Sequence, residues 1–304
     1  MRTRFFASIA LGGMAVALPA FAAGSAAGAP GWAVVHQPIR LVNGTPVLFS
    51  VTTSKPMRSL SGKWLGHDVE FSFDASSKKW FALAGVSLET KPGTYPLVLH
   101  GELSSGQSAG RSGEDTISFE KGILVVRQRY PRVLLKVPGR YTAPSPEDER
   151  QIEQDKAIKA EAFKTASPDR EWKGSFAPPV DAAISDVFGV ERVFNGSVQS
   201  THQGLDFRVP AGTSVAAVNR GRVILARALF FEGNCVVIDH GQGLLTLYLH
   251  LSKFLVNEGE DVSKGQAIGL SGSTGRATGP HLHLAVRWQG TYLDPHALLK
   301  LHLP

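Results

Sequence analysis

Near the C-terminus, Gly279-Pro280-His281-Leu282-His283-Leu284 sets two imidazoles one residue apart among apolar neighbours. Few patterns restrict a chain so tightly. A helix would turn the two rings well away from each other, whereas a β-strand sends side chains at i and i+2 out of one face. Leu282 and Leu284 then occupy the opposite face, so the strand needs a core beneath it and a cleft above it. Upstream, Thr201-His202-Gln203-Gly204-Leu205-Asp206-Phe207 supplies a second pair, His202 and Asp206, at i and i+4 and so of matching parity.

The surrounding sequence has the texture such a strand requires. Glycines at 221, 233, 241, 243, 259, 265, 269 and 272 separate short apolar runs at 215–218, 222–226, 235–239, 245–249, 267–270 and 282–286. This predicts a compact antiparallel β domain over 176–304 with little helix. Earlier in the chain, 69–73 alternates, with Val69, Phe71 and Phe73 on one face. Further strands are expected at 47–52, 80–83, 94–100, 123–127 and 132–136, with turns at Asn43-Gly44, Lys91-Pro92-Gly93 and the Gly/Ser-rich 104–113. That punctuation predicts an immunoglobulin-like β-sandwich over 31–140. Between the two domains, Ser145-Pro146-Glu147-Asp148 carries a cap, a first-turn proline and a capping-box acid, opening a helix that ends before Ser167-Pro168. Its apolar stripe of Ile152, Ile158 and Phe163 is thin. Residues 141–175 therefore read as a solvated helical linker packed lightly between domains. The fold class is mainly β.

Composition narrows the setting. A chain of 304 residues, 43% hydrophobic and 19% charged, allows about two folded domains and argues against global disorder. The net charge of +6 comes without a Lys/Arg patch interleaved with aromatics, which argues against nucleic acid as a partner. Residues 1–22 read as an export signal: Arg2 and Arg4, an apolar run over 5–18, then Ala20-Phe21-Ala22. The run falls short of the roughly 20 residues of a membrane span. Cleavage is expected, with no stable membrane anchor afterwards, and an exported chain that is periplasmic rather than fully secreted. The single cysteine, Cys235, lies in a β-branched run and reads as a buried strand residue.

Seven of the ten histidines lie from position 202 onward. A ligand hypothesis assigns His202, Asp206 and His283 to a metal, since imidazole nitrogen and carboxylate oxygen suit zinc and three protein ligands leave a fourth position for water. It leaves His281, which shares a face with His283, and His250 in Tyr248-Leu249-His250-Leu251. Both suit orienting the water, moving its proton and stabilising an oxyanion, and those roles are interchangeable at this level. His240, at a strand-to-turn boundary, reads as structural. His36, His67 and His100 are isolated, and His296 and His302 sit in the C-terminal tail.

In order and spacing, these residues resemble the lysostaphin-type (LytM-like) zinc metallopeptidases. The similarity runs through Phe188-Gly189, Phe194-Asn195-Gly196, His202-Gln203-Gly204-Leu205-Asp206-Phe207, Pro210-Ala211-Gly212-Thr213, Gly233-Asn234 and His240-Gly241. It continues through Tyr248-Leu249-His250-Leu251, Gly272-Ser273-Thr274-Gly275 and Gly279-Pro280-His281-Leu282-His283. The resemblance implies Zn2+ held by His202, Asp206 and His283, catalytic roles for His250 and His281, and peptidoglycan stem peptides or cross-bridges as substrate. Every ligand position is filled, which favours an active endopeptidase over the alternative, a non-catalytic wall-binding regulator of other cell-wall hydrolases. A carrier-domain reading of the turn-rich 256–265 lacks the lysine-tipped hairpin it needs. The N-terminal β region is similar to a domain that some exported members carry. Its expected role is to support the catalytic domain, recognise wall or partner, or regulate the groove intramolecularly.

Overall fold

Alternating apolar residues in the N-terminal half form two facing sheets, antiparallel except where Leu41–Val42 pairs in parallel with Thr116–Val126. The computed structural model describes residues 31–104, 116–196 and 198–304; the expected export signal over 1–22 and most of the Gly/Ser-rich stretch lie outside them. One sheet runs in the order Trp32–Gln37, Pro46–Thr53, Lys79–Gly85, Ser72–Asp74. The other runs Leu41–Val42, Thr116–Val126, Gly93–Leu103, Met57–Trp64, His67–Glu70. Phe49, Val51, Leu60, Leu97, Leu99 and Val125 fill the space between them. Trp64 is fully buried there, edge-on to Phe49 at 5.2 Å, and its indole N–H donates to the Gly85 carbonyl at 2.9 Å. The alternating stretch 69–73 is not one strand. It breaks at Phe71, whose neighbours on either side pair into different sheets, so Val69 and Phe71 are buried while Phe73 is 52% exposed.

In the C-terminal half a large sheet runs Ile184–Asp186, Leu205–Phe207, Leu282–Trp288, Leu244–Leu251, Gly233–Asp239, Gly221–Leu229, Asp261–Val262, and Thr291–Leu293 also pairs with Leu282–Trp288. A smaller sheet of Ser214–Ala216, Ala267–Leu270 and Lys253–Phe254 closes one side. The strand Leu282–Trp288, which carries His283 and begins just after His281, is central and buried on both faces, with Asp206 directly opposite His283 on one neighbour and Leu249 opposite His283 on the other. That register places the motif against the Asp206 strand and beside His250.

Two segments differ from their sequence reading. The strand at Arg132–Leu135, expected in the N-terminal sandwich, pairs in parallel with Glu191–Phe194 and so joins the sheet structure of the C-terminal half. Pairing of backbone edges, which side-chain alternation does not encode, decides this. The helix Pro146–Lys164 starts as expected: the Ser145 hydroxyl accepts from the Asp148 N–H at 3.1 Å and the Asp148 carboxylate accepts from the Ser145 N–H at 3.3 Å. It is no solvated connector, however. Ile158, Ala162 and Phe163 pack on Leu225, Leu229, Val237, Leu245 and Ala285 of the large sheet. The two halves also share a core, in which Trp172 meets Phe81 at 5.9 Å and Leu293 fills the space that a side chain at Gly85 would occupy.

The helix is pinned by Asp155, which is 4% exposed and accepts from the Phe230 N–H at 2.6 Å. Removing a buried acceptor leaves its donor unsatisfied. Asp155→Ala is therefore expected to destabilise the protein by about 1–3 kcal/mol, and Asp155→Asn by less because the amide oxygen still accepts. Urea denaturation followed by tryptophan fluorescence checks this; equal loss in both variants would contradict it.

Candidate metal centre

Two strands, carrying Asp206 and His283, and the residue just past a third, His202, deliver three acceptor atoms to one point. Nε2 of His202 lies 3.1 Å from Oδ1 of Asp206 and 3.1 Å from Nδ1 of His283, and Nδ1 of His283 lies 2.8 Å from the same carboxylate oxygen. The other nitrogen of His202, Nδ1, is 2.7 Å from the Val187 carbonyl, an acceptor, so it carries the proton and leaves Nε2 as a lone pair. At most one proton, on His283, can then lie among the three atoms. A buried cluster of acceptors with so little hydrogen to share is a cation site in the making, and two imidazoles with one carboxylate suit zinc. Gly204 permits this crowding: a Cβ there would sit 2.3 Å from Nε2 of His283.

The electrostatics agree with the geometry. Burial alone would push the Asp206 carboxyl up, but its close contacts with the His202 and His283 rings and the charge those rings can carry outweigh it, holding the group far below the ordinary carboxylate range. Its second oxygen accepts from Nη2 of Arg192 at 2.6 Å, while Nε of Arg192 donates to Asp186 at 3.1 Å. Sequence reasoning missed Arg192 and Asp186. Both lie on short polar strands at Glu191–Phe194 and Ile184–Asp186, and only the antiparallel return through Val198–Thr201 brings Arg192 over the site.

His250 and His281 flank the cluster, with ring centroids 4.8 Å apart. Each ties its Nδ1 to a backbone carbonyl at 2.8 Å, Thr274 for His250 and Gly279 for His281, so each turns an unprotonated Nε2 elsewhere. Nε2 of His281 is 3.9 Å from Asp206. Burial, and then the neighbouring His283 and His281, push the His250 imidazole down to about 3, against the hydrogen bond to Thr274. The backbone of His250 has φ +62°, a left-handed conformation that costs a non-glycine residue energy and concentrates at functional sites. His250 and His281 open onto a cleft of about 430 Å3, with Thr278, Gly279 and Pro280 on one wall and Val133, Leu135 and Val137 on another. By contrast His240 is satisfied on both nitrogens, by the Arg220 carbonyl and the Thr246 hydroxyl at 2.7 Å each, and burial pushes it down to about 4. Cys235 is buried and its thiol is pushed up, which keeps it unreactive. Lys264 is engaged with the Ser175 carbonyl at 2.6 Å.

Comparisons with known proteins fall on this same region. Residues 200–295 match the sequence profile of Peptidase family M23. The chain is 44% identical over 129 residues to the peptidoglycan DD-endopeptidase ShyA of Vibrio cholerae, covering 41% of this chain and 29% of that protein. It is 41% identical over 125 residues to the DD-carboxypeptidase/endopeptidase Mpg of Neisseria meningitidis, covering 40% of this chain and 29% of that protein. The chain thus spans less than a third of the length of either curated relative. A crystal structure from Pseudomonas aeruginosa described as a peptidase M23 superposes with a TM-score of 0.62 at 30% identity, covering 86% of this chain and 95% of that one.

Two outcomes are expected. His240 and His250 have folded values of about 4 and 3, below their ordinary 6.5. The unfolded chain therefore takes up these protons first, so the stability the two rings contribute is complete above 6.5 and is lost as pH falls towards 4 and 3. Both rings should remain neutral at pH 5.5 in NMR spectra of the metal-free protein; a ring titrating at its ordinary value would contradict this. Arg192→Gln, which unties the outer oxygen of Asp206, should weaken zinc affinity by about 10- to 100-fold in a chelator competition.

Proposed function

The chain belongs to peptidase family M23, and on that premise we propose that it is an exported zinc-dependent endopeptidase acting on the stem peptides or cross-bridges of peptidoglycan. The observation that carries this reading is the set of three converging acceptors beside two histidines whose unprotonated nitrogens are directed away from the backbone. His202, Asp206 and His283 would hold the zinc. When bound, zinc supplies Lewis-acid activation of water and of a peptide carbonyl near neutral pH.

The chain's own residues do the rest. Nε2 of His281 accepts the proton of the attacking water, and the nearby Asp206 carboxylate stabilises the imidazolium that results. The same proton then passes to the departing amine nitrogen as the carbon–nitrogen bond breaks. His250, held neutral by burial, accepts a hydrogen bond from the water and fixes its approach; it can donate to an oxyanion only after gaining a proton. Arg192 keeps Asp206 turned so that Oδ1 faces the imidazoles. On the cleft wall, Gly279 has open space where a side chain would stand and lets an extended peptide approach the backbone closely.

Export is supported by the signal-like residues 1–22, and we place the protein in the periplasm. Among the described residues no helix is long and apolar enough to cross a membrane. Val133, Leu135 and Val137 form one wall of the cleft, which supports a groove-shaping role for the segment leaving the N-terminal sandwich, and through it intramolecular regulation.

His283→Ala is expected to abolish both zinc content, measured by atomic absorption, and release of soluble peptides from purified sacculi, measured by mass spectrometry. His281→Ala should retain zinc and lose turnover by about 10²- to 10⁴-fold. Full turnover in the first variant would sink the ligand assignment; undiminished turnover in the second would sink the proton-acceptor assignment.

A further inference from the structure

The cleft holds a cation that nothing in the reaction above uses. Arg276 lines it beside His250, with its guanidinium 4.7 Å from the ring centroids of both Phe194 and Phe231. It is partly buried, and among the described residues its side chain makes neither a salt bridge nor a hydrogen bond; only its backbone N–H is bonded, to the Phe231 carbonyl. The exposed arginines Arg58, Arg222 and Arg227 each have a carboxylate partner at 3.0, 2.9 and 2.7 Å. Arg192, in the same cleft, has two. Stability would favour the opposite arrangement, because an unpaired charge costs most where water is scarce. Glu232, the carboxylate nearest at hand, is paired with Lys159. Two aromatic faces offset part of the desolvation and fix the guanidinium in place. Burial and the charge of Arg192 disfavour the Arg276 cation and Glu232 offsets them only in part, so a further negative charge arriving in the cleft is welcome. Arg208, exposed on the same cleft, adds to the positive field.

We propose that Arg276 is a specificity-determining residue that binds a free carboxylate of the peptide substrate, so that carboxylate-bearing stem peptides are taken in preference to their carboxamide forms. This deepens the peptidase reading and rests on it. The planar guanidinium, held against two rings at the cleft, carries the fork of donors whose paired hydrogen bonds a carboxylate accepts. A carboxamide forfeits the charge and presents donors where acceptors are needed.

The test is equilibrium binding of an uncross-linked stem peptide, built with hydrolysis-resistant bonds, to the zinc-loaded full chain. It is run with the carboxylates free and with them converted to carboxamides. A charge-assisted pair predicts about tenfold to a hundredfold tighter binding of the free form. Arg276→Gln should bind both forms equally and as weakly as the wild type binds the carboxamide. Arg276→Lys, which keeps the charge and loses the fork, should retain part of the preference. Melting temperature confirms that each variant is folded. Equal binding of the two forms by the wild type, no binding of either, or an undiminished preference in Arg276→Gln overturns the proposal. Absence of cleavage on sacculi would fail the peptidase reading separately, because the binding comparison does not depend on turnover.

Discussion

Three atoms with at most one proton to share, His202 Nε2, His283 Nδ1 and Asp206 Oδ1, are held within 3.1 Å, and much of the C-terminal half is arranged to keep them there. No local preference would bring them together. The antiparallel register that sets Asp206 opposite His283 supplies the convergence, and the glycine at 204 removes the side chain that would forbid it. The interior on both faces of the Leu282–Trp288 strand makes that register expensive to change, since a slip of one residue would trade buried leucines for histidines. Apolar packing thus offsets the electrostatic cost of the cluster.

One device recurs at four histidines of the C-terminal half. His202, His240, His250 and His281 each tie Nδ1 to a backbone carbonyl, of Val187, Arg220, Thr274 and Gly279. The carbonyl fixes the tautomer, and what differs is the group met by the second nitrogen. For His240 it is the Thr246 hydroxyl, which completes a structural residue. For His202 it is the acceptor cluster. His250 and His281 line the cleft. Function here depends on where Nε2 ends up, and that is set by loop backbone rather than by residue type.

This explains which parts were legible beforehand. His-x-His and His-x-x-x-Asp are statements about spacing along extended chain, and the four residues they nominate do come together, with His250 beside them. The helix start was equally legible, because Ser145 and Asp148 form a local capping box. Arg192 and Asp186 were not. Their positions depend on pairings between short polar strands that leave no apolar alternation to read. The same holds for the break at Phe71, where a regular pattern spans two sheets, and for the helix, whose few apolar residues suffice once a complementary sheet face lies beneath them.

The parallel pairing of Arg132–Leu135 with Glu191–Phe194 has one more consequence. It turns what would be an outermost strand into an interior one, since Val198–Thr201 already occupies the other side. A bare edge at that place would lie alongside the cleft with its amide and carbonyl groups unclaimed, open to any extended chain, including another copy of this one. By laying its own backbone there, the protein satisfies those groups intramolecularly and hands the open edge to Arg132–Leu135, a segment that itself lines the cleft.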